Sequence, residues 1–263
     1  MGKSVLYEVR DGICIITLNR PEVRNSLDGI GMRELTDAWS RFKDDRDARV
    51  AIVTGAGSKA FCAGMDIKKG DGSAAEADYA QQFSDWGQVG DLGLFPRQLF
   101  LGKPTIAAIN GPALGVGGVL ALQCDIKVAT PNATIGYTLV RLGMFPPYCH
   151  EFWDLGSPAV ALQSLLTGDP ISAQDAYRLG YVSAVVEPDA LMAKATEIAV
   201  KIRDNAPWAV KAIKMVWDTQ ARNLNTWSMH IMHDYARRVA ATDDIKEGAL
   251  AFAEKRKPKF RGF

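Results

Sequence analysis

Residues Lys103–Ala129 read KPTIAAINGPALGVGGVLALQCDIKVA, and this stretch decides the fold class. Thr105–Asn110 is a short apolar run closed by Asn110-Gly111, the pattern of a strand ending in a turn. The glycine-rich passage Gly111–Gly118 follows, Val119–Cys124 reads as helix, and Asp125–Ala129 returns to strand. Strand and helix alternating in this way is the signature of an α/β core.

Outward from that stretch the first half keeps the same character. Val5–Val9 and Cys14–Leu18 flank Asp11-Gly12 and read as a β-hairpin. From Asp28 onward Met32, Leu35, Trp39 and Phe42 recur at three- and four-residue steps, giving an amphipathic helix. Arg49–Thr54 is a short apolar strand ending in Gly55-Ala56-Gly57. The second half is helical. Ser172 with Asp175 forms a capping box and Gly180 supplies the stop. Pro207 opens a further helix with Ala209, Ile213 and Val216 on one face, and Asn225–Ala241 and Asp243–Lys255 continue as helices. Lys69–Gly93 is polar and glycine-rich, and reads as a loop holding a short helix.

Composition bounds the partners. With 31 Lys+Arg against 30 Asp+Glu the formal net charge is +1, so no general field draws the chain to nucleic acid or an anionic membrane. No apolar run is long enough for a membrane span and no signal peptide is visible. The four cysteines, Cys14, Cys62, Cys124 and Cys149, are widely spaced without a CxxC pair, and three of them sit in apolar or small-residue surroundings that suit buried free thiols, so a reducing cytoplasm is expected.

Several chemistries are excluded by missing patterns. There is no phosphate-binding GxxxxGK[ST] loop and no GxSxG elbow, and Gly115-Val116-Gly117-Gly118 lacks the third glycine of a dinucleotide fingerprint. His230 and His233 stand one turn apart beside Asp234, but no third distant ligand announces a metal site. Two glycine-bearing segments remain, Ala60–Asp66 (AFCAGMD) and Asn110–Gly118 (NGPALGVGG). Small residues admit a ligand close to the backbone, and two N–H groups from separate segments would make an oxyanion hole. Tight turns and close helix packing would ask for the same glycines, and from pattern alone both readings stand.

The sequence resembles the enoyl-CoA hydratase/isomerase family, the crotonase superfamily, over nearly its whole length. The resemblance lies in ITLNRPEVRNSLD (Ile16–Asp28), VAIVTGAGSKAFCAGMDIK (Val50–Lys68), the Lys103–Ala129 stretch, LTGDPISAQDAYRLGYVSAVV (Leu166–Val186) and ATDDIKEGALAFAEKRKPKF (Ala241–Phe260). It implies an α/β fold built as a spiral of ββα repeats, with a core over residues 1–200 and a helical trimerisation region over 201–263. It further implies a homotrimer or a hexamer made of two trimers. The backbone N–H groups of Met65 and Val116 would hold a thioester oxygen, with Gly117 as the alternative second donor. Val23, Arg24, Asp66, Ile67 and Lys68 would lie along the bound CoA, and Phe252 and Lys255 would reach the CoA of a neighbouring subunit. No metal or separate cofactor is implied, coenzyme A being part of the substrate.

The departure from the family pattern is specific. Hydratases of this family use two glutamates to position water and deliver a proton, and the corresponding positions here are Val119 and Leu139. Neither aliphatic side chain moves a proton. Titratable groups instead cluster at Tyr148, His150 and Glu151, with His150 the group whose ordinary pKa stands closest to neutrality. Pocket filling by that aromatic-rich segment is the competing reading. An enzyme working on an acyl-CoA thioester through a stabilised enolate is expected. Hydrolytic C–C cleavage or double-bond isomerisation of a cyclic or β-keto acyl-CoA is the alternative, and a non-catalytic acyl-CoA binding protein the other.

Overall fold

The computed structural model describes residues 2–66, 95–96, 101–145, 157–218 and 241–259. The hairpin forms around its turn: β1 (Val5–Arg10) and β2 (Ile13–Leu18) run antiparallel from Val5 opposite Leu18 to Arg10 opposite Ile13. Asp11 and Gly12 carry φ of 47° and 76°, the pair of positive angles that lets a two-residue turn follow the strand twist. Strands β3 (Val50–Gly55), β4 (Thr105–Ile109), β6 (Ile126–Ala129) and β9 (Ala184–Val185) then add in parallel, giving the order β1-β2-β3-β4-β6-β9.

Both faces of this sheet are covered, so its central strands are apolar throughout rather than alternating. Cys14, Ile16, Leu18, Ala51, Val53, Ala107 and Ile109 point into the main core, where Leu35, Ala38, Trp39 and Phe42 of α1 (Gly29–Asp44) meet them. Asp28 caps α1, its Oδ1 accepting from Gly31 N–H at 2.7 Å, as the expected start at Asp28 requires. On the opposite face Ile13, Val50, Ile52, Ile106, Ala108 and Val128 pack against Leu191, Ala195 and Ala199 of the helix Leu191–Arg203.

A second sheet, β5 (Ala113–Leu114), β7 (Thr134–Gly136) and β8 (Ile171–Ser172), is made of strands too short to show a periodicity. From β5 the chain enters α2 (Val116–Gln123), all eight residues of which are buried. The helix expected from Val119 therefore starts three residues earlier and takes the glycine row into its first turn. A helix buried on every side has no polar face to display, and close packing repays the poor helix propensity of its two glycines.

Helices α3 (Pro158–Thr167) and α4 (Ala173–Arg178) follow. The box at α4 forms as read, with Asp175 N–H donating to Ser172 Oγ at 3.0 Å and Ser172 Oγ–H donating to Asp175 Oδ2 at 2.6 Å. With Leu191–Arg203 numbered α5, a helix over 207–218 is α6 and Asp244–Ala253 is α7. On α6 the expected apolar face is solvent-facing: Ile213 and Val216 are 71% and 68% exposed. The buried side belongs to Lys214, whose ammonium pairs with the carboxylates of Asp125 and Asp218. The expected loop over Lys69–Gly93 and helix over Asn225–Ala241 fall outside the described residues, apart from Ala241 itself.

Candidate active site

The two glycine-bearing segments meet side by side. Cys62 bridges Ala113 in parallel: Cys62 N–H donates to Pro112 O at 3.2 Å and Leu114 N–H to Cys62 O at 2.9 Å. Three residues further along each segment stand Met65 and Val116. Asn25 and Asn110 hold the turn that delivers the first segment. Asn25 Nδ2 donates to Ala56 O at 3.0 Å and Ala60 O at 2.9 Å, and Asn110 Nδ2 donates to Gly55 O at 2.9 Å and Gly57 O at 2.8 Å.

A second parallel bridge decides where the Met65 N–H points. It joins Leu27 to Met65, and both of its hydrogen bonds belong to Leu27: Leu27 N–H donates to Gly64 O and Asp66 N–H to Leu27 O, each at 2.9 Å. In such a ladder the residue opposite turns its own N–H and C=O to the other side. The Met65 N–H thus faces away from Leu27 and donates to no acceptor among the described residues.

Val116, expected as the second donor, is the first residue of α2. The first bond within that turn is Val119 N–H to Gly115 O at 3.1 Å, and the N–H groups of Val116, Gly117 and Gly118 donate to no acceptor among the described residues, as at a helix start, where the dipole favours negative charge. Gly115 turns the chain with φ 53° and ψ −123°. Of the two second-donor candidates, Val116 continues the segment that the Cys62–Ala113 bridge aligns with Met65. Two main-chain donors from separate segments beside a buried helix start form an arrangement suited to an oxygen that gains negative charge.

Close approach of the backbones builds this arrangement. A Cβ on Gly117 would stand 2.3 Å from Cys62 O and 2.5 Å from Cys62 Cβ. Gly64 has φ +108°, a backbone conformation that a side chain disfavours. Cys62 itself is no nucleophile: burial pushes its thiol up to about 12, so it stays protonated at neutral pH.

Val119 is fully buried on α2, in the main core. Leu139 lies half-buried on a 3₁₀ turn, Thr138–Leu142, packed against the same core. Among the other expected site residues, Val23 ends the 3₁₀ turn Pro21–Val23 and Arg24 follows it, with Arg24 O accepting from Ala63 N–H at 3.0 Å, which sets both next to the Met65 segment. Asp66 follows Met65 with its carboxylate on Arg20 at 2.9 Å. Phe252 and Lys255 are exposed at the end of α7, which packs against the Thr138–Leu142 turn. Among the described residues no hydrogen bond or ion pair joins them to Met65 or Val116. Ile67, Lys68, Tyr148, His150 and Glu151 lie outside the described residues, as do Cys149, His230, His233 and Asp234.

Sequence reasoning missed Arg20, Asn25 and Asn110, whose side chains bond backbone and carboxylate groups around the Met65 loop. The signal was the polar content of Asn19–Asn25, a turn whose amide and guanidinium groups need partners once half-buried. A cavity of about 560 Å³ lies elsewhere, lined by Lys127, Tyr181, Ile213, Lys214 and Trp217 among others, and includes neither donor. No group of three or more metal-ligating side chains occurs among the described residues.

The chain belongs to the enoyl-CoA hydratase/isomerase family, whose model matches residues 8–262, and it is an enzyme of that family. It is 40% identical over 264 residues to the (E)-benzylidenesuccinyl-CoA hydratase of Thauera aromatica, covering 98% of this chain and 99% of that one. It is 36% identical over 277 residues to the carnitinyl-CoA dehydratase of Proteus mirabilis, covering all of both. Among solved structures, a carnitinyl-CoA hydratase from Mycobacterium avium superimposes with a TM-score of 0.84 at 31% identity, over the whole of both chains. No helix among the described residues is long and apolar enough to cross a membrane.

Proposed function

We propose that this enzyme binds an acyl-CoA thioester with its carbonyl oxygen between the N–H groups of Met65 and Val116, and that turnover passes through the enolate. The observation that carries this reading is the Leu27–Met65 bridge, which turns the Met65 N–H away from the ladder, beside the start of α2. A thioester enolate places its charge on that oxygen. Each preorganised donor in such a hole is worth about 3–4 kcal/mol to the transition state.

Val119 and Leu139 take the places of the two hydratase glutamates, so the proton must move through other groups. Tyr148, His150 and Glu151 fill that role, with His150 as the base of choice at neutral pH. Val23, Arg24, Asp66, Ile67 and Lys68 line the CoA, and Phe252 and Lys255 serve the CoA of a neighbouring subunit. The assembly is a homotrimer or a hexamer of two trimers, with a core of ββα spiral repeats over residues 1–200 and a helical association region over 201–263. The protein works in the cytoplasm, needs no metal or separate cofactor, and has no nucleic-acid or membrane-inserted partner.

An aromatic or cyclic acyl group fits this reading best. The likeness to (E)-benzylidenesuccinyl-CoA hydratase supports it, as do the apolar residues at 119 and 139. Hydrolytic C–C cleavage or double-bond isomerisation of a cyclic or β-keto acyl-CoA is the second reading, favoured by the absence of carboxylates at those two positions. The test presents crotonyl-CoA, an aryl-substituted enoyl-CoA and a cyclic β-keto acyl-CoA to the purified protein and follows product mass and enoyl absorbance. Addition of one water to the aryl ester is expected. Conversion of the β-keto ester alone overturns hydration in favour of C–C cleavage. Binding of all three without turnover of any removes the enolate assignment.

A further inference from the structure

One side chain ties together the pieces that set the Met65 N–H. The guanidinium of Arg20 donates through Nη2 to Asp66 Oδ2 at 2.9 Å and through Nη1 to Ser26 O at 2.9 Å. The same Nη1 stands 3.2 Å from Asp28 Oδ2. Arg20 and Asp66 are largely buried, their side chains 20% and 15% exposed. Asp28 is at the same time the cap of α1, so the guanidinium couples a packed helix start to the residue after Met65.

The backbone alone leaves this junction weak. The Leu27–Met65 bridge stands outside the named strands and consists of two hydrogen bonds. An isolated bridge of that kind opens more readily than a strand inside a sheet, and any rotation of the 64–66 segment swings the Met65 N–H off its target. Charge-assisted bonds from one planar guanidinium to both sides of the bridge oppose that rotation.

We propose that Arg20 is the positioning residue of this site: its clamp on Asp66, Ser26 and Asp28 aims the Met65 N–H at the substrate oxygen. The proposal rests on the reading of Met65 and Val116 as oxyanion donors. It gives Asp66 a defined task, that of anchor for the donor loop.

A chromophoric ester separates aiming from mere stapling. The CoA thioester of 4-(dimethylamino)cinnamic acid is a push–pull dye whose absorption moves to the red when hydrogen bonds polarise its carbonyl. The full-length protein, Arg20→Ala, Arg20→Lys and Asp66→Asn are titrated with it, and each spectrum is recorded on mixing together with the dissociation constant and Tm. The wild-type protein is expected to bind the ester with a red shift. Arg20→Ala is expected to bind within about threefold of wild-type affinity but lose most of that shift. Turnover of an active ester should fall on the order of a hundredfold in kcat, as for an angstrom-scale misplacement, with KM little changed. Arg20→Lys, with one ammonium in place of a fork, should fall between. Should Arg20→Ala not fold, Asp66→Asn carries the comparison and should show the same loss of shift.

A full red shift in folded Arg20→Ala or Asp66→Asn, at lowered Tm, overturns the proposal and leaves Arg20 a structural staple, with the donor reading intact. A wild-type protein that binds the ester without a shift, or does not bind it, removes the donor reading and the proposal with it.

Discussion

Gly117 and Cys62 are in such close backbone contact that a single methyl on Gly117 would stand 2.3 Å from the Cys62 carbonyl oxygen. The nearest atoms are backbone and Cβ, so no flexible side chain can swing aside. Gly117→Ala is therefore expected to push α2 away from the Cys62–Met65 segment and cost about 1–3 kcal/mol in urea unfolding, the range for overpacking a tight interior. Separation of the two donors should also abolish the red shift of the chromophoric ester. Wild-type stability in the variant would mean that the two segments have room to part.

Val119 tests whether position 119 faces the core or the substrate. In the core, a carboxyl introduced by Val119→Glu has its folded pKa raised above the usual carboxylate value of about 4.3, because burial penalises the charge. The unfolded chain then ionises first. Stability should be fully present below about pH 4 and fall by about 1.4 kcal/mol per pH unit as pH rises toward the folded pKa. Val119→Gln should show no such slope. A flat profile for Val119→Glu from pH 5 to 8 would put this side chain in contact with water, and so in an open acyl pocket.

The ion-paired Lys214 makes a different demand. It is 7% exposed between Asp125 and Asp218, the latter 2% exposed. Lys214→Met keeps most of the packing but removes the ammonium that both carboxylates share. A loss of about 3–5 kcal/mol is expected by denaturant titration, and Lys214→Met/Asp125→Asn/Asp218→Asn should recover part of it. A single variant of wild-type stability would sink the view that this pair holds α6 on the sheet.

The thiols supply the alkaline test. Burial pushes both Cys14 and Cys62 up to about 12 from an ordinary 9.0. The folded state thus favours the neutral thiol, and the stability this adds is fully present below about pH 9 and lost as pH rises through about 12. Between these limits the unfolding free energy of Cys14→Ala/Cys62→Ala should fall less steeply than that of the wild-type chain. Iodoacetamide at pH 8 should leave both thiols unmodified in the folded protein. Rapid alkylation of Cys62 would show that the Gly117 contact opens.

Those elements whose local pattern and packing agree were legible in the sequence. The Asp11-Gly12 turn, the apolar face of α1 and the capping box at Ser172 all express rules that act over a few residues. The proposal of donors at Met65 and Val116 comes from family resemblance, since glycine placement alone also fits plain turns. What stayed hidden depends on distant partners. β5 is two residues long and takes its identity from β7, α2 begins inside a glycine row, and the buried side of α6 is charged. Arg20 acts on Asp66, forty-six positions away in the chain, a relation that no periodicity encodes.

Because the groups proposed to meet the substrate oxygen are main-chain N–H groups held by the Leu27 and Cys62 bridges, no point mutation at Met65 or Val116 short of proline deletes them. The side chains at those two positions are free to be exchanged while the charge-holding device persists. In the proposed site, natural variation can therefore rewrite the acyl end without dismantling what makes the thioester reactive. Inheritance of the device and turnover of the reaction it serves are uncoupled in this architecture.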